Sequence, residues 1–180
     1  MTSYYGGKDL ASAFRTVRKN TIQVAIDIPE QQYSHVPAPE CRSVGQMFTH
    51  IALSPQMWEE IHGKQRLKTL VGFDFLALGE RVKAEEARPR TKAEVLDLLR
   101  NQGEQFAGWL ETLTPEFLAE MVTTADGTTA KSRFEQILGA KEHEMHHRAQ
   151  LMLIERQLGI IPHLTKQFNE RVAQMRAARA

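Results

Sequence analysis

Apolar residues recur along this chain at three- and four-residue intervals in four long stretches, the spacing of helices that bury one face. The first, Lys8 to Asp27, carries Leu10, Phe14, Val17, Ile22 and the run Val24 to Ile26. It is predicted to stop at Ile28-Pro29, because a proline disfavours helical geometry in the residue before it. The loop from Pro29 to Arg42 holds three prolines and reads as an ordered crossover, rigid at Pro37-Ala38-Pro39. A second helix opens with Ser43 as N-cap, its hydroxyl free to accept a first-turn amide, and runs to about His62 before Gly63. Thr91 caps a third, Lys92 to Leu113, with Val95, Leu98, Leu99, Phe106, Trp109, Leu110 and Leu113 as its apolar positions. The fourth runs from about Lys131 to Leu158 and stops at Gly159, a residue type that ends helices without strain.

The intervening stretches are weaker. Leu67 to Ala87 is apolar in its first half and charged in its second; it is predicted to be partly helical and is broken by Arg88-Pro89-Arg90. Thr114 to Thr129 has a Thr-Pro start, a Thr-Thr-Ala-Asp-Gly-Thr-Thr turn and little periodicity, and Gln167 to Ala180 predicts a short surface helix with a frayed end. No strand of convincing alternation and no internal repeat is present. The expected fold is all-α, an up-down four-helix bundle with a long crossover loop, as one domain over 1–180 with flexible ends at 1–7 and 170–180.

Composition narrows the function classes. At 180 residues the chain can bury a core without disulfides. Its 23 basic and 22 acidic side chains leave a net charge of +1, which provides no field to steer nucleic acid or a membrane surface. Nowhere does it approach the roughly 18 consecutive apolar residues of a membrane span, and Met1 to Leu10 lacks the apolar centre of a secretion signal. Cys41 has no internal partner, so a reducing, cytoplasmic setting is expected.

The candidate chemistry lies in histidine. Three of the seven fall within His143-Glu144-Met145-His146-His147. Residues four apart share a helix face, so His143 and His147 can aim at one ion while His146 turns aside. The stripe Ile137, Ala140, His143, His147, Leu151, Ile154, Leu158 puts that pair on the buried seam. On the second helix Met47, His50, Ser54, Met57 and Ile61 form a matching stripe that His50 interrupts. Imidazoles buried together cost desolvation unless a shared partner satisfies them, which favours one divalent ion, zinc or nickel, held by His50, His143 and His147. Three protein ligands leave positions open for water or substrate, the pattern of catalytic rather than structural sites. The competing view of His50 alone is a hydrogen-bonded core residue, and of Trp58 a packing residue or a pocket wall.

Other assignments use the same residues. His143-Glu144-x-x-His147 is also the zincin motif with Glu144 as general base, but the metzincin continuation is missing, with Gln150 and Leu153 in place of its glycine and histidine. Glu170 sits at a tolerable distance for a carboxylate ligand, yet no strand pattern precedes the helix. Glu59-x-x-His62 and Glu144-x-x-His147 both fit a di-iron carboxylate bundle, but the first helix offers no glutamate from Lys8 to Asp27. A non-catalytic, metal-binding or stress-related interaction protein would keep the bundle and leave Glu144, Arg148 and Gln150 as a solvated face.

The segments Arg42-Ser43-Val44-Gly45-Gln46-Met47-Phe48-Thr49-His50-Ile51-Ala52 and His143-Glu144-Met145-His146-His147-Arg148-Ala149-Gln150-Leu151 together resemble the DinB/YfiT-like superfamily. That resemblance implies a four-helix bundle, often a homodimer, with a metal held by one histidine of the second helix and a His-x-x-x-His pair of the fourth: here His50, His143 and His147. Ala149 departs from the family's usual Arg-Gly-Gln, a change expected to affect packing. The implied activities are transfer of a low-molecular-weight thiol to a small-molecule substrate (a transferase), thiol-dependent isomerisation, or metal-dependent hydrolysis (a hydrolase). For hydrolysis Glu144 or a nearby carboxylate would be the base, with 67–87 and 114–129 as walls of the mouth.

Overall fold

Three of the long helices begin on a side-chain cap that is written locally. Ser43, Thr91 and Ser132 each accept the amide of the residue three along, Gln46, Glu94 and Glu135, whose side chains bond back to the cap's own amide. Two of the free donors at each helix start are thereby satisfied. In the computed structural model, which describes residues 5–179, the helices are α1 (Gly7–Asp27), α2 (Val44–Leu53), α3 (Pro55–Trp58), α4 (Phe75–Glu86), α5 (Lys92–Glu111), α6 (Pro115–Ala119), α7 (Arg133–Gln157) and α8 (His163–Ala177). A π-helical turn, Glu59–Lys64, continues α3, so Val44 to Lys64 forms one rod through the helical Ser54. The flexibility expected of the ends falls partly on 1–4 and 180, outside the described residues; Gly7 opens α1, and 170–177 belong to α8.

α1, the rod, α5 and α7 make the all-α four-helix bundle, and side-chain contacts fix their directions. Lys92, at the start of α5, reaches the Ile26 and Ile28 carbonyls at 2.7 and 2.8 Å, while Gly7 packs under Leu110 and Leu113, so α1 and α5 are antiparallel. Tyr5 meets Phe134 and Arg18 meets Glu144, so α7 runs with α1. His50 meets His143 and Trp58 meets Gln136, so the rod opposes α7. Gln56 bonds Gln102 and Glu59 bonds Gln105, which places α5 parallel to the rod. The order is up, down, down, up: α5 does not alternate. A parallel step needs a return path, and the long crossover is therefore the segment that carries α4.

The core divides into two clusters. One gathers Val24, Ile28, Val44, Phe48, Ile51, Leu99 and Leu151; the other gathers Leu10, Phe14, Trp58, Phe106, Leu110 and Ile137. Val44, Phe48, Ile51 and Ala52 are the fully buried positions of α2, while Met47 and His50 are half-buried at the margin. The stripe predicted there is thus offset from the core by about one residue, which is what brings His50 to an edge.

Arg18 crosses the space between the clusters. Its guanidinium donates to both oxygens of Glu144 (2.9–3.1 Å), to the Leu99 carbonyl at 2.7 Å and to the Ile51 carbonyl at 3.1 Å. One side chain of α1 thereby ties α2, α5 and α7 together. Gly103 permits this, since a Cβ there would lie 2.8 Å from Arg18 Cγ.

The 114–129 stretch is more structured than its pattern suggests. β1 (Met121–Thr123) pairs antiparallel with β2 (Ala130–Ser132), and Gly127 takes a left-handed φ of 73° in the turn. Three-residue strands are too short for alternation to register. No helix among the described residues is long and apolar enough to cross a membrane.

Candidate metal centre

His50 stands two turns inside α2, and His143 and His147 follow one another up one face of α7. Because the rod and α7 are antiparallel neighbours, the three rings meet across their interface. Their Nε2 atoms converge: His50 to His143 is 3.0 Å, and His147 to His143 is 3.2 Å. Nitrogens at these separations suit a common ion about 2.0–2.1 Å from each. Among the described residues this is the group of three or more metal-ligating side chains that could hold an ion, and all three rings are partly exposed.

The outer nitrogens decide which way the lone pairs point. His50 Nδ1 lies 2.6 Å from Glu86 Oε1, and a carboxylate oxygen accepts, so that nitrogen carries the proton. His147 Nδ1 lies 2.8 Å from Gln150 Oε1, whose amide is oriented by its nitrogen's contact with His146 Nε2 at 3.2 Å. Both rings therefore turn an unprotonated Nε2 inward. His143 Nδ1 is buried with no hydrogen-bond partner among the described residues. Two inward lone pairs need a shared partner, a proton on His143 Nε2 or a cation bound by all three rings, and the donor set fits a metal.

Electrostatics agree. Burial first, then the neighbouring His147 and His50, pushes the His143 imidazole down to about 4, and burial lowers His147 as well against the raising effect of Gln150. At neutral pH protons do not compete for the His143 ring. Burial alone would raise the Glu86 carboxyl, but hydrogen bonds from His50 and Arg42 outweigh it and hold the group below its usual range. Arg42 Nε donates to Glu86 Oε2 at 2.6 Å, so the carboxylate is anchored on one oxygen while it orients His50 with the other.

His50, His143 and His147 come together. Glu144, expected as a possible base, is 1% exposed and gives both oxygens to Arg18, so it is neither a free base nor part of a solvated face. Gln150 touches His147 instead of lying idle. Trp58 is core, bonded to the Gln136 carbonyl at 2.7 Å, with its ring 6.1 Å from that of His143. Of the expected walls, α4 packs beside α2 and ends at Glu86, whereas 114–129 meets α7 at Arg133 and Gln136, two to three turns short of His143. Glu86 was missed. The proline break at Arg88-Pro89 marks where α4 ends, but no local signal aims its last carboxylate at His50. A cavity of about 550 Å³, lined by Ser43, Gln46, Thr49 and Arg90 among others, meets the centre at Glu86 and includes none of the three histidines.

Fold and site define a four-helix bundle with a candidate three-histidine centre backed by a carboxylate and an amide. The family follows: residues 13–151 match the model of the DinB superfamily, and the chain belongs to it. Among solved structures it is similar to YfiT from Bacillus subtilis, described as a probable metal-dependent hydrolase with an unusual four-helix bundle topology, at TM-score 0.67 and 15% identity over 89% of this chain and 91% of that one. It is also similar to the DinB-like protein YjoA from Bacillus subtilis, at TM-score 0.61 and 21% identity over 83% of this chain and 91% of that one. No curated protein matches it in sequence.

Proposed function

We propose that His50, His143 and His147 bind one divalent ion, zinc or nickel, and that the chain is a metal-dependent enzyme of hydrolase or transferase type acting on a small molecule. The observation that carries this is the convergence of three Nε2 atoms, two of them forced to point inward by Glu86 and Gln150. Family membership and the description of YfiT support the same assignment. An ion held there supplies Lewis acidity, which makes a nucleophile that binds beside it easier to deprotonate. The chain's part is to hold the rings: Glu86 fixes the tautomer of His50, Gln150 that of His147, and Arg42 fixes Glu86.

One observation favours a thiol cosubstrate over water. Glu86, the carboxylate that touches the centre, is engaged with Arg42 and His50, and Glu144, beside His143 in the chain, is engaged with Arg18. A thiol ionises close to neutral pH and has less need of a base than water has. Metal analysis of the purified protein is expected to find about one ion per chain, and His50→Ala and His147→Ala to lose it. Wild type carrying no more metal than the variants would end the proposal. Metal-loaded protein incubated with a generic electrophile and low-molecular-weight thiols, against an ester without thiol, separates transfer from hydrolysis.

A further inference from the structure

At the end of the bundle where α1 begins and α5 ends lies a second cavity, of about 280 Å³. Its place along the rod is roughly three turns, ~18 Å, beyond His50. One wall is the π-helical turn Glu59–Lys64, an arrangement that costs helix stability and concentrates at functional positions. The wide turn buries both His62, which lines this cavity, and Glu59, which lines an adjoining one and accepts from Gln105 Nε2 at 3.2 Å.

His62 is 1% exposed, and its Nδ1 lies 3.1 Å from Arg133 NH1. A guanidinium only donates, so Nδ1 accepts and the ring proton sits on Nε2. Burial, then the charge of Arg133, lowers His62 to about 4, which keeps the ring neutral at physiological pH. Nε2–H meets no acceptor among the described residues, and the ring lines the cavity. The donor of an otherwise buried ring thus opens onto the cavity, where an acceptor from outside the chain can meet it.

Around it the chain offers donors and carbon, and none of the lining residues is acidic. Arg66 holds a left-handed φ of 49°, and among the described residues its guanidinium makes no hydrogen bond or ion pair. It lies 5.3 Å from the centroid of Phe117, whose ring Arg133 also covers at 4.8 Å. Arg133 is neutralised by Glu120 at 2.9 Å; Arg66 feels Glu120 only through space. Gly63 leaves the Trp109 indole edge open, since a Cβ there would lie 3.1 Å from Nε1. Trp109, Leu113 and Phe117 supply the apolar walls.

We propose that this cavity is a binding site for a small organic carboxylate, its oxygens taken by His62 Nε2–H and Arg66 and its apolar body lying against Trp109, Leu113 and Phe117. Inorganic phosphate fits less well, because its remaining oxygens would face carbon. The test is a titration with sodium benzoate, read at the Trp109 indole N–H signal by ¹H–¹⁵N NMR and assigned through Trp109→Phe. Sodium phosphate and sodium chloride at matched ionic strength are the controls. The benzoate shift is expected to saturate and the control shifts to drift without saturating. In Arg66→Gly, which tolerates the left-handed backbone at an exposed position, binding should weaken about tenfold while the unfolding midpoint is kept. His62→Asn, retaining a donor, should bind more tightly than His62→Phe. A non-saturating benzoate response, equal saturation by phosphate, or an unchanged curve in Arg66→Gly would overturn the proposal.

Discussion

Two buried carboxylates neighbour the histidines of the centre, one along the chain and one in space, and do different work. Glu144, next to His143 in sequence, spends both oxygens on Arg18 in the middle of the bundle. Glu86, thirty-six positions from His50, divides its oxygens between Arg42 and the His50 ring. Both belong to Glu–Arg pairs, with carboxylates 1% and 6% exposed, but their cations differ: Arg18 is 4% exposed and Arg42 39%. The inner pair is wholly desolvated and joins helices; the outer one stands at the rim and positions a ligand. Adjacency along the chain is therefore a poor guide to which carboxylate serves the centre.

The largest expected effect tests the inner pair. Arg18→Met takes the hydrogen-bonded counter-charge from buried Glu144, leaving Arg148 to act on it only through space, and leaves the Leu99 and Ile51 carbonyls without these donors. Removing one partner of such a pair costs about 3–5 kcal/mol, measurable as a lowered urea midpoint. Arg18→Met with Glu144→Leu should recover much of that loss, because both charges leave together. A Glu144→Gln variant that kept its midpoint and lost its metal would reverse the comparison and make Glu144 a residue of the centre.

A third carboxylate marks the extreme. Glu155 on α7 is fully buried, and neither oxygen has a hydrogen-bond partner among the described residues. Burial, then the nearby Asp27, raises it from 4.5 to about 7, against Lys166 and Arg156. Between those values the folded chain keeps a proton that the unfolded chain has released. Stability therefore falls as pH rises through that window, and the full penalty is present above it. Glu155→Gln should gain on wild type by about 2–3 kcal/mol between about pH 5 and about pH 8 in urea titrations. A difference that does not change with pH would show that the acid is already satisfied.

These carboxylates also show what the sequence carries. The caps Ser43 and Thr91, the stop at Gly159 and the i, i+4 pair His143/His147 are local patterns, and each lies where periodicity and capping chemistry put it. Glu144 was misjudged because its motif is local while its partner Arg18 is 126 residues away. Glu86 was invisible because its role depends on the path of α4, and an apolar stripe encodes a buried face without a direction. The same gap explains α5: its pattern fixes a helix and leaves its sense, parallel to the rod, to tertiary packing.

The smallest effect bears most directly on the centre. Glu86→Gln keeps the shape of the side chain and an oxygen to accept from His50 Nδ1, but removes the charge that favours that tautomer. Arg42 loses its ion pair at the rim, where the cost to stability is slight. If Glu86 acts through His50, metal affinity should fall by about ten- to hundredfold while the urea midpoint hardly moves, the opposite signature to Arg18→Met. Gln150→Ala removes a neutral acceptor from the more exposed His147 side, so its loss of affinity should be smaller than that of Glu86→Gln. Competition titrations with a chromophoric chelator rank the two. Equal losses would mean that only ring orientation matters. A greater loss in Glu86→Gln would show that the carboxylate's charge, passed through the imidazole, strengthens the nitrogen facing the ion.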